Sequence, residues 1–186
     1  MSIPDMPQHS SHISGKGART RTRLLHAARQ LAGQVGLAHL NVQMICQTAQ
    51  VGRASFYTYF PDAQAVIDTL ASDTTATFTA RFNSAHSDMP RGLARLERCL
   101  TETLSYAIDD PESARFIAAL AQASDRVKTM VLQEILAELT AAKHPGGRVL
   151  AEFLTLALIA LFADFANENR SVDQIPDMVA YLMAAT

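Results

Sequence analysis

The sequence predicts an all-α protein, and two features of it support that fold class. Apolar residues recur at intervals of three and four along most of the chain, the spacing that gives a helix one buried face. Residues suited to helix caps and helix ends separate these stretches. A chain of 186 residues is also long enough to form two closely joined helical domains.

The first 18 residues, MSIPDMPQHSSHISGKGA, are rich in Ser, Pro and Gly and show no apolar periodicity. Such a composition predicts a disordered tail over residues 1–18. His9 and His12 form only a weak metal-binding pair, and we predict neither a metal site nor a cofactor. The segment lacks the apolar core of a signal peptide, so we expect a cytoplasmic protein.

Three short helices are predicted between residues 19 and 60. The first carries an apolar stripe of Leu24, Ala28, Leu31 and Val35. It ends at Gly36, which we expect in the left-handed conformation of a helix cap. The second follows Asn41, a good N-cap, and carries a stripe of Val42, Ile45, Cys46 and Ala49. The third is predicted from about Arg53 to Phe60, with three anchoring side chains, Phe56, Tyr57 and Phe60.

Charge divides the chain between residues 60 and 61. From Gly15 to Phe60 there are six Lys or Arg residues and no Asp or Glu. Residues 1–60, the head, carry six cations against one acid, for a net charge of +5. Residues 61–186, the body, carry ten cations against seventeen acids, for a net charge of −7. A basic head suits a polyanion, so the head is predicted to approach nucleic acid. In one interpretation, Arg19, Arg21 and Arg23 follow the DNA as an arm.

One set of residues in the head resembles the N-terminal signature of tetracycline-repressor-like (TetR/AcrR) transcriptional regulators. The set consists of Ile45, Ala49, Val51, Arg53, Ser55, Phe56, Tyr57, Tyr59 and Phe60. The resemblance covers roughly residues 21–70. It implies an N-terminal three-helix helix-turn-helix DNA-binding domain at 19–62, followed by a C-terminal helical effector-binding and dimerisation bundle at 63–186. It also implies a homodimeric repressor that a small molecule releases from its operator, a near-palindromic stretch of double-stranded DNA.

The same resemblance implies DNA contacts for seven residues. Asn41 and Gln43 are expected at the DNA backbone or groove edge. Three side chains are expected in the major groove, namely Arg53, Ser55 and Thr58. Tyr57 and Tyr59 are expected to give their hydroxyls to phosphates; the alternative is that both rings pack in the core and only one hydroxyl reaches the DNA. Only base-edge contacts distinguish sequences, so Arg53 and Thr58 are the expected sources of specificity.

Three positions depart from the family pattern. Gln50 stands where the family usually has a glycine in the turn between the two helices, a position that tends to be left-handed and costs another residue roughly 1 kcal/mol. Gly52 replaces the usual Ser or Thr before the third helix, and Gly caps slightly less well. Ala63 replaces a lysine that commonly meets phosphate.

Helices are predicted throughout the body, over residues 62–82, 92–108, 112–123, 126–142, 149–165 and 171–185. A loop is expected at 84–90. In the helix over 92–108, leucines are expected to face inward, and Arg91, Arg95, Arg98 and Glu102 are expected to face outward.

The helix over 149–165 is nearly apolar all round. Its longest uncharged run, from Phe153 to Ala163, is shorter than the roughly 20 apolar residues of a membrane span, so we predict no membrane association. A helix buried on two sides is the better interpretation. We therefore expect a homodimer through residues 147–186, with Leu158 in the interface and small residues such as Ala160 permitting close approach.

The remaining features leave alternatives open. Phe78, Phe82, Tyr106, Phe116 and Met130 are candidates to line a pocket for a hydrophobic effector, although plain core packing is the better interpretation for each of them. No phosphate-binding glycine loop, metal-spaced cluster or nucleophile motif occurs, so we predict no catalytic residue and no enzyme. The alternatives are a helical small-molecule-binding or catalytic bundle without specific DNA recognition, and an architectural DNA-binding protein without an effector. Cys46 and Cys99 are expected to be inert core thiols.

Overall fold

A computed structural model describes residues 15–186, and this part of the chain is all-α, as predicted. It contains α1 (Gly15–Val35), α2 (Val42–Ala49), α3 (Arg53–Tyr59), α4 (Ala63–His86), α5 (Leu93–Asp109), α6 (Pro111–Ala123), α7 (Asp125–Ala141), α8 (Gly147–Ala166) and α9 (Ile175–Met183). Short 3-10 turns precede α2 and α9, at Leu37–His39 and Val172–Gln174. Because α1 begins at Gly15, residues 15–18 are helical, and their assignment to a disordered tail was wrong. Residues 1–14, with His9 and His12, lie outside the described residues.

Helices α1 to α3 pack around a small apolar core in the head. The predicted face of α2 is confirmed, since Ile45, Cys46 and Ala49 are buried. Phe56 of α3 and Phe60, the residue that follows α3, pack on the same core, with 0% and 4% of their surfaces exposed. Burying two aromatic side chains stabilises the position of α3 by several kcal/mol, roughly 2 to 3 for each ring.

Three expectations about the head were wrong in detail. Val35 is 39% exposed because it is the last residue of α1, where the chain turns away from the core. Gly36 has φ 79° and ψ 156°, a positive φ with an extended ψ, so it is not in the left-handed helical conformation. Tyr57 is 57% exposed and does not anchor α3. It lies one residue after Phe56, about 100° round the helix from the buried face.

Side-chain caps fix where α2, α4 and α6 begin. The side chain of Asn41 accepts a hydrogen bond from the Met44 amide at 3.0 Å, as expected of an N-cap. Asp62 caps α4 in the same way through the Ala65 amide, at 2.8 Å. Asp110 both ends α5 and caps α6, where Pro111 occupies the first turn and has no amide hydrogen to satisfy.

The body is a bundle in which α8 packs against α5, α6 and α7, and α9 packs against α5. The leucine face of α5 is buried as predicted, with Leu96, Leu100 and Leu104 at most 1% exposed. Arg95 was expected outside, but its side chain is only 14% exposed. It turns inward because the carboxylate of Glu138, itself 3% exposed, lies 3.6 Å away on α7.

Helix α4 continues four residues beyond the predicted end, so the expected loop at 84–90 is shorter. His86 holds this last turn, because its ring is buried and its Nδ1 lies 2.6 Å from the carbonyl oxygen of Phe82. The Phe82 and His86 rings also contact each other, with centroids 4.6 Å apart.

Helix α8 is long and apolar enough to cross a membrane by length and composition, with a mean hydropathy of 2.1. In the structure it is a core helix of the bundle. Its inner face, formed by Leu154, Leu158, Phe162 and Phe165, is at most 5% exposed. A core helix that buries one face in this way needs no membrane to explain its hydropathy.

The head and body share side chains across their junction. Val66 and Leu70 of α4 belong to the head core, and so does Phe116 of α6. Polar contacts join the same elements: Arg29 of α1 donates to the Ser113 hydroxyl of α6 at 3.3 Å. Packing therefore continues across residue 62, where the sequence suggested a domain boundary.

Candidate nucleic-acid interface and internal cavity

The turn between α2 and α3 depends on one left-handed residue. Gln50 has φ 52° and ψ 46°, which confirms the conformation that the family resemblance implied at this position. The turn is closed by the Val51 amide, which donates to the Cys46 carbonyl at 3.0 Å. This geometry sets α3 at an angle to α2 and presents its N-terminal half to solvent.

Two arginines of α1 support this turn and α3. The guanidinium of Arg23 donates to the main-chain carbonyls of Ala49 and Gln50, at the C-terminal end of α2. The guanidinium of Arg21 lies over the Phe60 ring, 5.4 Å from its centroid. Both side chains were expected to follow DNA as an arm, and in the structure they contact protein groups instead. Their partners lie 26 and 27 residues away for Arg23 and 39 residues away for Arg21, so periodicity could not reveal them.

Helix α3 exposes a polar face on the side opposite its anchors. Arg53, Ser55, Tyr57 and Thr58 are all exposed, whereas Phe56 is completely buried. Gly52 precedes the helix as its N-cap and offers no side-chain hydrogen bond. The Thr58 hydroxyl donates to the Ala54 carbonyl at 3.3 Å, so its lone pairs face outward as acceptors. The exposed groups therefore combine one fixed cation with hydroxyl groups, a set suited to both base edges and phosphates.

Helix α2 contributes a second polar row beside α3. Asn41 and Gln43 are exposed, and Gln43 lines an open groove of about 420 Å³ together with Gln47 and Arg53. Gln47 was missed by the sequence analysis. It lies four residues after Gln43 and thus on the same helix face, a spacing that could have revealed it. Asn41 uses its carbonyl oxygen as a cap, and its amide nitrogen can donate to an external acceptor.

Tyr59 differs from Tyr57 in its surroundings. It is partly buried and packs against the head core, as the core-packing alternative allowed. Cys46, at the floor of the groove, has its pKa raised by burial, while the nearby Arg53 guanidinium acts in the opposite direction. The thiol therefore stays neutral, and the charge of this surface comes from arginine.

A cavity of about 120 Å³ lies inside the body between α4, α5, α7 and α8. Phe78, Phe82 and Met130, three of the five predicted pocket residues, line it. Tyr106 lies behind this wall with its ring against Phe78, at a centroid distance of 5.2 Å. Phe116 was wrongly placed near the pocket, because it points the other way and is fully buried in the head core.

One side of the cavity carries a buried carboxylate. Glu138 accepts hydrogen bonds from Arg91 at 3.0 Å and from the Gly92 amide at 2.9 Å, which caps the start of α5 from another helix. Burial raises the pKa of the neighbouring Cys99 thiol to about 11, and the Glu138 charge adds to the effect. The Cys99 thiol is therefore protonated at neutral pH, which agrees with the expectation of an inert core thiol.

The sequence matches the model of one protein family, described as bacterial regulatory proteins of the tetR family, over residues 24–69. This segment runs from α1 through the helix-turn-helix into α4. Residues 24–69 therefore form a tetR-family domain. With this domain the chain is a DNA-binding transcriptional regulator, which agrees with the expectation that it is not an enzyme.

Several solved structures have the same fold over nearly the whole chain. A TetR-like transcriptional regulator from Rhodococcus sp. RHA1 has a TM-score of 0.76 at 16% identity, with 97% of each chain covered. NalD, the secondary repressor of the MexAB-OprM multidrug efflux pump in Pseudomonas aeruginosa, has a TM-score of 0.70 at 16% identity, covering 91% of this chain and 96% of NalD. The SmeT–triclosan complex has a TM-score of 0.68 at 15% identity, covering 90% and 91%. The sequence has no match among curated proteins.

The tetR-family regulator also has an apolar surface outside its bundle. On α8, Val149, Phe153 and Leu156 are 78%, 57% and 64% exposed and lie on one face. Tyr181 of α9 is 76% exposed. Leu158, which was expected on this surface, is only 5% exposed and belongs to the bundle core. The helix spacing explains the difference, because Leu158 lies four residues after the buried Leu154.

Proposed function

We propose that this regulator is a homodimeric repressor, located in the cytoplasm, that binds a near-palindromic operator and is released from it by a small apolar ligand. The main observation in support is the exposed polar face of α3 in a head that has no acidic residue between Gly15 and Phe60. The role of NalD as a repressor supports the direction of regulation. Triclosan in the SmeT complex supports a small-molecule effector.

In this proposal α3 lies in the major groove and α2 crosses the DNA backbone. Arg53 is the best candidate for a base contact, because its guanidinium is exposed and can donate two parallel hydrogen bonds to guanine. Thr58 and Ser55 contact neighbouring base edges. Since the Thr58 hydrogen is engaged by Ala54, its oxygen would accept from a base amino group.

Phosphate contacts would come from the edges of the same surface. Tyr57 is exposed enough to offer its hydroxyl, and Asn41 and Gln43 would approach the backbone from the start of α2. Tyr59 would contribute through its hydroxyl alone, because its ring packs on the head core. These contacts would set the register of α3 on the operator without selecting its sequence.

A second copy of the chain would cover the apolar face of α8 and α9. Three large apolar side chains of α8 are each more than half exposed, which is unusual for one face of a monomeric protein. Pairing the same face of two subunits gives an isologous twofold interface within residues 147–186. The two α3 helices would then contact half-sites about 34 Å apart, or farther, along the DNA.

The ligand would occupy the body cavity. Phe78, Phe82 and Met130 form its apolar wall, and Tyr106 supports that wall from behind. Of the helices that line the cavity, α4 continues into the head core through Leu70; α6, which packs against α4, α5, α7 and α8, reaches that core through Phe116. A ligand that displaces α4 or α6 would therefore shift the head, and through it the spacing of the two α3 helices.

Fluorescence anisotropy with the double-stranded DNA upstream of this gene, beside a scrambled duplex, tests the proposal. Specific binding should exceed binding to the scrambled duplex by at least about a thousandfold. For both duplexes, the logarithm of the affinity should fall linearly with the logarithm of the salt concentration, because binding releases counterions. A protein that binds small molecules but does not distinguish the duplexes would instead be a helical bundle without specific recognition. Specific binding that no apolar compound weakens would indicate a DNA-binding protein without an effector.

A further inference from the structure

Three separate spaces in the body meet at the side chain of Met130. The first is the cavity of about 120 Å³ described above. The second is a smaller cavity of about 40 Å³, bounded by Ile117 of α6 and Phe162 of α8. The third is an open cleft of about 1280 Å³ between α4 on one side and α6 and α7 on the other. Met130 is the one described residue that lines all three.

The two inner cavities are chemically different from the cleft. The smaller inner cavity is lined by apolar side chains and two threonines, without a charged group, whereas the larger one is mostly apolar but has the carboxylates of Glu134 and Glu138 at one side. Phe78 and Leu158 line both inner cavities. The cleft has many polar side chains, among them Gln64 and Gln133, and its charged groups are Asp68 and Arg126. A molecule that spans both regions would therefore place an apolar part inside and a polar part in the cleft.

The inner cavities are small. Their volumes of about 120 and 40 Å³ are together close to the roughly 150 Å³ of an apolar protein cavity that holds one benzene ring. A two-ring compound fits only if the boundary between the spaces is displaced. Methionine suits such a boundary, because its unbranched side chain has three rotatable bonds and changes shape at low cost.

We propose that Met130 determines which ligands this regulator admits. In its present rotamer it separates the inner cavities from the cleft and leaves room for a neutral, apolar group of about one ring. When it turns aside, the three spaces join, and a longer ligand enters between α4 and α7 with its polar end in the cleft. This inference assumes that the body cavity is the effector site, as proposed above.

Two uncharged probes of different length test the inference, namely toluene and biphenyl. Binding of each is measured by calorimetry on the full chain without DNA. Met130→Ala removes the partition, and the affinity for biphenyl relative to toluene should rise by about tenfold or more. Met130→Ile keeps the volume but stiffens the side chain, and the same ratio should fall. Met178→Ala is the matched control, since Met178 is also partly buried against the body core but lines none of the three spaces.

Each result has a distinct meaning. A ratio that rises with Met130→Ala, falls with Met130→Ile and is unchanged by Met178→Ala supports the inference. A ratio that stays constant in both Met130 variants, while toluene still binds, overturns it and leaves the effector site in place. If neither probe binds any variant, the body cavity is not the effector site, and this inference fails together with that part of the proposed function. DNA binding is measured separately, so none of these outcomes bears on the part of the proposed function that concerns DNA.

Discussion

The guanidinium of Arg23 donates a hydrogen bond to the carbonyl oxygen of Gln50 at 3.1 Å, and a second one to the adjacent carbonyl of Ala49. Arg23 belongs to α1, whereas Gln50 is the left-handed residue that ends α2. The last carbonyls of a helix have no partner within the helix and carry its negative dipole end, so a cation is favourable there. Arg23 thus fixes the turn that orients α3.

Replacing Arg23 by Met should therefore lower the free energy of unfolding by about 1 kcal/mol, because two charge-assisted hydrogen bonds are lost at a partly exposed site. Urea denaturation measures this change. Arg98→Met is the control: Arg98 forms an exposed pair with Glu102, at 3.7 Å, and its loss should cost at most about 0.5 kcal/mol. If Arg23 bound phosphate as an arm instead, the mutant would keep its stability. Its slope of log DNA affinity against log salt concentration would then be shallower by about 0.9.

Gln50→Gly should stabilise the protein by up to about 1 kcal/mol, because glycine adopts φ 52° without the clash that a Cβ atom makes. The matched substitution Gln47→Gly lies in the last turn of α2 and should instead cost about 1 kcal/mol. The midpoint temperature of thermal unfolding should thus rise in Gln50→Gly and fall in Gln47→Gly. Equal losses for both would show that Gln50 carries no strain.

Parts of the head follow directly from the sequence, for physical reasons that the structure makes clear. The stripe of α2 and the Asn41 cap depend on residues at most a few positions apart, which a helical pattern determines. The contrast between Tyr57 and Tyr59 was also available, since Tyr59 lies three residues after the buried Phe56 and shares its face. Local spacing contains no information on Arg23, whose partners lie 26 and 27 residues away.

In the body, too, local spacing predicts burial but not which neighbour a side chain packs against. Apolar spacing predicts that Phe116 is buried, but the choice between head core and cavity depends on how α6 lies between the two. Similarly, Arg95 turns inward only because Glu138 of α7 is placed opposite it, a pairing over 43 residues. Leu158 and Leu156 are both apolar residues of one helix, and only the packing of α8 against α5, α6 and α7 decides which is exposed. Tertiary packing, which local pattern does not specify, decides all three.

Arg53→Ala should weaken specific DNA binding by about 1 to 3 kcal/mol and relax sequence preference, because an exposed guanidinium on α3 can hold a guanine edge. Anisotropy with the upstream duplex and a scrambled duplex measures both effects. Tyr57→Phe is the informative comparison, since it removes one exposed hydroxyl and should weaken binding to the two duplexes equally. An Arg53 variant that loses affinity equally for both duplexes would make Arg53 a phosphate contact.

Leu156→Arg should convert the dimer to a monomer, because it places a charge in the centre of the exposed apolar face of α8. Light scattering should then give a mass near 20.2 kDa instead of twice that value. Val35→Arg is the control, since Val35 is also an exposed apolar residue, at 39%, but lies at the end of α1, outside the proposed interface. A dimer that persists in the Leu156 variant would exclude this face as the interface. Leu158→Arg is unsuitable, because it would bury a charge in the subunit and unfold it.

Cys99 should make stability depend on alkaline pH. Burial raises the pKa of this thiol from 9.0 to about 11 in the folded protein, and the Glu138 carboxylate adds to the effect. Between these values the unfolded chain releases the proton while the folded chain retains it. The stabilising contribution is therefore complete below about pH 9 and is lost as the pH rises toward 11, by up to about 2 to 3 kcal/mol.

The difference between wild type and Cys99→Ala isolates this contribution, because all other titrating groups are common to both proteins. Urea denaturation at several pH values between 8 and 11 should show the wild type losing stability faster than the variant. Cys46→Ala provides a second comparison. Burial also raises the pKa of Cys46, so its effect on stability has the same sign, although the nearby Arg53 guanidinium acts against the shift. If the curves for wild type and Cys99→Ala run parallel, the Cys99 thiol ionises equally in the folded and unfolded chains, and its environment in the bundle is more open than the packing of α5 against α7 indicates.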